Sequence, residues 1–252
     1  MSSTGLSSFA KGSAVTVVAQ AANIVLTLVS TVVLSRLLPP EDFGLVAMVG
    51  VVTALGALLR DLGLTVSALR TPTLSHQQAS NLFWVNTVLS AVAGTAIAFS
   101  GPLLSEIYKE PRLQTITPVL AISFFLSGMQ AQIQVKLSRG KKFGTLAAIT
   151  VASNATGIAT AIVLALSGAG YWALVWQVVA VSIVEFLAKA VAARWVPARP
   201  RRNANTKHLV VSGADYAASS FIQYFATNAD TFTLGVRWGG RQMWGSTPAR
   251  SS

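Results

Sequence analysis

Glu185 and Lys189 stand four residues apart inside the apolar run Tyr171 to Ala193, in the order that favours an intrahelical ion pair. Ionisable groups inside hydrocarbon mark substrate or ion paths, and a pair can also simply neutralise itself; this spacing fits both. Asp215, Ser219, Gln223, Thr227 and Asp230 recur along His208 to Val236. At about 100° per residue they share one face about 120° wide, with Phe221, Phe225 and Phe232 on another. Two carboxylates on one face of a membrane helix indicate a polar path, unless headgroups and water at the two helix ends relieve them. A third stripe runs through Ser13, Thr16, Gln20, Asn23, Thr27 and Ser30. It reads as interhelical hydrogen-bonding glue or as a cavity wall, and Gln20 and Asn23 are larger than glue requires. Arg60 and Asp61, adjacent after the second run, suit an interfacial ion pair or headgroup contact.

Little else in the chain can do chemistry. There is no cysteine, so disulfides and thiolate sites are excluded, and His76 and His208 lie in separate segments, which argues against zinc. No Gly-rich phosphate loop, Gly-x-Ser-x-Gly elbow or His-Glu-x-x-His helix occurs. No catalytic residue, metal or cofactor is expected, and transport outranks catalysis.

These residues are embedded in 252 residues that are 52% hydrophobic and 11% charged, with mean hydropathy +0.58. That composition excludes a soluble enzyme and predicts an all-helical polytopic membrane bundle. The runs are Ser13–Leu34, Gly44–Leu59, Asn81–Ser100, Thr115–Gln132, Phe143–Ser167, Tyr171–Ala193 and His208–Val236. Pro39-Pro40, Gly101-Pro102, Ser167-Gly168 and Pro197 to Asn205 read as loops, and Pro118 is expected to kink the fourth run.

The net charge of +11 serves orientation and anionic headgroups rather than nucleic acid. Alternate loops collect Lys11; Arg60 and Arg70; Lys136, Arg139, Lys141 and Lys142; and Arg194, Arg199, Arg201, Arg202 and Lys207. The opposite loops hold Arg36, Lys109 and Arg112, so the count is twelve against three and the N-terminus is expected in the cytoplasm. The expected organisation is a cytoplasmic N-terminus over 1–12, a six-helix lobe over 13–193, a basic cytoplasmic loop over 194–207, a seventh helix over 208–236 and a tail over 237–252.

Four segments then read together: Leu34-Ser-Arg36-Leu-Leu-Pro-Pro-Glu-Asp-Phe-Gly44, Arg60-Asp61-Leu-Gly-Leu-Thr-Val-Ser-Ala-Leu-Arg70, Gly170-Tyr-Trp-Ala-Leu-Val-Trp-Gln177 and Thr227-Asn-Ala-Asp230. In order and spacing the chain resembles the polysaccharide transporters of the Wzx-like flippase type, in the superfamily that also holds MATE antiporters and lipid II flippases. The resemblance implies two pseudo-symmetric helical lobes around a cationic cavity, working by alternating access in a bacterial inner membrane. The implied cargo is a polyprenyl-diphosphate-linked oligosaccharide for surface polysaccharide assembly, with a proton or sodium gradient as drive. Implied partners are membrane lipids, that lipid-linked oligosaccharide, and polysaccharide polymerase and glycosyltransferases. Arg36, Arg60, Lys189 and Arg237 are the cations that could line such a cavity. The rival readings are a MATE-like solute antiporter and a non-transporting membrane scaffold of a polysaccharide-synthesis complex.

At an offset of 201 residues Gly12 meets Gly213, Arg36 meets Arg237 and Gly44 meets Gly245, so 208–236 reads as the opening helix of a second lobe. After Gly245 the chain reads Ser246-Thr-Pro-Ala-Arg-Ser-Ser252. The family resembled continues with a pattern such as Leu-Tyr-x-Arg-Ala, and a hypothetical stretch coding Leu-Tyr-Ser-Arg-Ala gives Ser-Thr-Pro-Ala-Arg when read one base later. The expectation is an interrupted copy of a longer transporter, active or inactive, with Asp215 and Asp230 on an open side that leads to poor stability or dimerisation; the alternative is a half-size transporter working as a homodimer.

Overall fold

A computed structural model describes residues 3–61 and 64–201, together with 206, 208, 211, 213, 215 and 219; the side chains of 3–14 and 55–61 are outside the description. The described residues form eight helices and no strand. They are α1 (Ser3–Leu37), α2 (Pro40–Asp61), α3 (Leu64–Arg70), α4 (His76–Phe99), α5 (Gly101–Tyr108), α6 (Leu113–Arg139), α7 (Phe143–Leu166) and α8 (Trp172–Ala193). Among them α1 from Val15, α4, α6, α7 and α8 are long and apolar enough to cross a membrane. The second expected run lies within α2, whose 22 residues measure about 33 Å. The seventh, 208–236, falls almost wholly outside the described residues.

The chain is a multi-pass membrane protein, and its surface shows it. Val17, Val18, Leu28, Val88, Val92, Val163 and Val191 lie exposed, while Ser80, Asn86, Ser90, Thr117, Gln130, Gln132, Ser153 and Lys189 are buried. Where the surrounding solvent is lipid, polar side chains gain by turning toward one another and apolar ones lose nothing by facing out.

Local chemistry moved several expected boundaries. α4 begins at His76, five residues before the expected run, because Ser75 and Gln78 form a reciprocal capping box. Gly101-Pro102 opens α5 instead of forming a loop, since a proline in the first helical turn forfeits no intrahelical bond. Gly101 is needed there: a Cβ would sit 3.1 Å from Gln114 Cα. α6 runs unbroken through Pro118 to Arg139. The expected loop after α7 is present, with Gly168 at φ 80° and Gly170 at φ 58°.

α4 packs on α6, α6 on α8, α8 on α7 and α7 on α1, and α2 touches α4, α6 and α8. A side chain at Gly157 would collide with Val181 Cγ2, so glycine is what lets α7 approach α8 closely. Two polar bonds tie α1 inward: Asn154 Nδ2 donates to Asn23 Oδ1 at 2.9 Å, and Gln177 Nε2 to Ser30 Oγ at 3.5 Å.

The two ends of the bundle differ. At the α1–α2 end, Asp42 is buried beside Gly170 and 3.9 Å from Arg112, which also meets Glu110 at 3.2 Å and stacks over Tyr171. Leu34, Leu38, Ala173 and Leu174 pack together beneath. At the other end Arg139 donates to the carbonyls of Ala68, Thr71 and Pro72 at 2.9, 2.6 and 2.9 Å, anchoring the close of α3. Beside it, residues 195–201 run as a strap over the start of α4. Trp84 Nε1 donates to Ala198 O, Gln77 Nε2 to Arg199 O, and Asn81 both donates to Arg201 O and accepts from Arg201 N. Trp195 is buried edge-on against Phe83 with the Lys136 ammonium over its ring. The basic residues of the alternate loops among those described are therefore gathered at this strap end.

Candidate transport cleft

Within the bundle, α6 and α8 run side by side in parallel, so that position i on α6 meets i+55 on α8. Gln130 Nε2 donates to Glu185 Oε2 at 3.4 Å, and Lys189 Nζ donates to Gln134 Oε1 at 2.8 Å. Along α8 the Lys189 ammonium closes on Glu185 Oε1 at 2.7 Å. Ser127 and Ser123, on the same stripe of α6 one and two turns before Gln130, and Ser182, which faces Ser127 in this register, extend the polar line upward. There α2 stands off from the other two helices and leaves a cavity of about 240 Å³, lined by Gly50, Thr53, Ser123, Phe124, Ser127 and Ser182 among others.

The electrostatics of this line are closed. The Lys189 side chain is only 3% exposed and its charge is balanced by Glu185, so toward a ligand the pair acts as a dipole, not as a cation. Gln130 Oε1 is buried with no hydrogen-bond partner among the described residues, as are both amide atoms of Asn86 and Gln132 and the hydroxyls of Ser90 and Ser153. At the α1–α2 end, burial pushes the Asp42 carboxyl above its ordinary range; Arg112 opposes this and Glu41 adds to it.

Of the residues singled out in the sequence, Glu185 and Lys189 lie together in this seam. Asn23 belongs to the α1–α7 interface, Gln20 and Arg36 are exposed on α1, and Asp215 is an exposed helical residue whose carbonyl accepts from Ser219. The side chains of Arg60 and Asp61, and all of Gln223, Asp230 and Arg237, lie outside the described residues. Thr53, Ser123, Ser127, Gln130, Gln134 and Ser182 were not singled out as cavity residues. The signal was present: 123, 127, 130 and 134 step by four, three and four, as do 182, 185 and 189 by three and four. Two of the recurrent segments, by contrast, meet at the α1–α2 end as a structural joint, with Asp42 beside Gly170 and Leu34 packed with Leu174.

The family described as polysaccharide biosynthesis protein matches residues 33–244. The lipopolysaccharide biosynthesis protein WzxC of Escherichia coli (strain K12) is 23% identical over 83% of this chain and 43% of its own length. The succinoglycan biosynthesis transport protein ExoT of Rhizobium meliloti (strain 1021) is 23% identical over 68% of this chain and 35% of its own. The teichuronic acid biosynthesis protein TuaB of Bacillus subtilis (strain 168) is 24% identical over 40% and 21%. The chain thus spans less than half the length of these relatives. No solved structure matches it significantly.

Proposed function

As the chain belongs to the polysaccharide biosynthesis protein family, we propose that it serves to carry a polyprenyl-diphosphate-linked oligosaccharide from the cytoplasmic to the outer leaflet of a bacterial inner membrane, by alternating access and without bond chemistry. The observation that carries this reading is the α6–α8 seam: a membrane bundle that lines up buried Gln130 and Lys189 with half-buried Glu185 beside a cavity has invested in a polar path. A glycan headgroup needs such a path, because its polar groups cannot be left unpaired in hydrocarbon.

In this reading the strap end, with its concentration of Lys and Arg, faces the cytoplasm. Residues 13–193 form one lobe and 208–236 open the next. Because Glu185 neutralises Lys189, the diphosphate is met elsewhere, and Arg36, Arg60 and Arg237 are the proposed cations. Glu185 also favours one rival, antiport of a small cationic solute.

Deleting the gene separates these readings. Loss of surface polysaccharide with accumulation of its lipid-linked precursor is expected; unchanged polymer with greater sensitivity to cationic drugs would replace flipping by antiport. A scaffold would tolerate Leu in place of the seam's polar residues, and a flippase would not.

A further inference from the structure

The cleft between α2, α6 and α8 offers acceptors and almost no donors. Thr53, Ser123 and Ser182 each give their one hydroxyl proton to a carbonyl of their own helix, at 2.9, 2.6 and 3.0 Å. Each oxygen then has only lone pairs left to offer. Two turns along α6 from Ser123, Gln130 adds a further acceptor: one N–H of its Nε2 goes to Glu185, while its buried Oε1 has no hydrogen-bond partner among the described residues. The nearest cation, Lys189, is held between Glu185 and Gln134.

A phosphate group is itself an acceptor, and here the hydroxyl protons of Thr53, Ser123 and Ser182 are already given away and the ammonium is neutralised. A ring carrying hydroxyl groups finds several acceptors for the protons it presents. Phe124 and Val178 supply an apolar wall for the C–H face of such a ring, and about 240 Å³ holds a single ring rather than a whole repeat unit.

We propose that this cleft is a subsite for one uncharged sugar ring of the transported glycan, gripped through its hydroxyl hydrogens, with the diphosphate lying outside it. The proposal rests on the flippase reading above and adds which part of the cargo this lobe holds.

The test uses the full chain in nanodiscs and two probes: polyprenyl diphosphate bearing one N-acetylhexosamine, and bare polyprenyl diphosphate. Wild type should bind both. Ser123→Ala with Ser182→Ala should weaken the sugar-bearing probe about tenfold and leave the bare one unchanged. Thr53→Val, a near-isosteric change on a different helix, should weaken it about threefold and guards against a folding defect on α6. Equal weakening of both probes would make the cleft a lipid-chain contact, and unchanged binding of both would remove it from the site; either overturns the proposal. If wild type binds neither probe, it is the flippase reading itself that fails.

Discussion

Gln130 on α6 donates through Nε2 to Glu185 Oε2 on α8 at 3.4 Å, across a helix boundary that Lys189 crosses again one turn later to reach Gln134. The two contacts tie the helices in a fixed register and leave the ion pair without net charge toward the cleft.

Breaking that pair from one side should be costly. Glu185→Gln leaves a 3%-exposed ammonium without its counter-ion, and a loss of about 3 kcal/mol is expected. Glu185→Gln combined with Lys189→Met should recover most of it. Thermal unfolding in detergent of wild type, Glu185→Gln, Lys189→Met and the double variant gives the coupling energy directly; additive losses would show that the two groups do not act as a pair.

Acid should act through Asp42. Its folded-state pKa is raised above 3.8, chiefly by burial, so the folded protein binds this proton more tightly than the unfolded chain. This group's contribution favours folding below 3.8 and is lost as pH rises through the folded-state value. Asp42→Asn should therefore remove a decline in stability on going from acid toward neutral pH. Identical wild-type and variant difference curves would contradict the assignment.

The strap is held mainly through its backbone. Asn81 donates to Arg201 O at 2.7 Å and to Thr206 Oγ1 at 2.8 Å and accepts from Arg201 N at 3.0 Å. Asn81→Leu removes all three, at about 1 kcal/mol each. Trypsin should then cut after Arg201 faster by about tenfold or more; an unaltered cleavage rate would mean that Trp195 and the bonds from Gln77 and Trp84 suffice to hold the strap.

Buried amides without partners are a different kind of feature. Asn86 and Gln132 have both side-chain polar atoms buried and unpaired among the described residues. If they serve packing only, Asn86→Leu and Gln132→Leu should be neutral or stabilising by about 1 kcal/mol in thermal melts, since an apolar replacement removes the desolvation cost. Strong destabilisation by either would reveal a polar role in the fold.

The parts of the fold that depend on one segment at a time were legible in the sequence. Apolar length marked α1, α4, α6, α7 and α8, and spacing alone placed Lys189 one turn from Glu185. What required tertiary register was not. That Gln130 meets Glu185 and Gln134 meets Lys189 depends on how α6 lies against α8, which no single-helix periodicity contains. Thr53 joins the cleft only because α2 stands beside both. The start of α4 was missed for a local reason, since Ser75 and Gln78 signalled a capping box that hydropathy outweighed. Arg139 was expected as one positive charge among many, and only the approach of α3 turns it into an anchor for three carbonyls.

The most direct test of the account is the leaflet distribution of the lipid-linked precursor in a deletion strain carrying either the wild-type gene or Ser127→Leu with Ser182→Leu, which fills the cleft. Mass spectrometry of labelled outer-leaflet lipid should show the precursor exposed with wild type and retained in the cytoplasmic leaflet with the filled cleft. Equal exposure with both genes, at equal protein levels, would contradict a transport path through α2, α6 and α8.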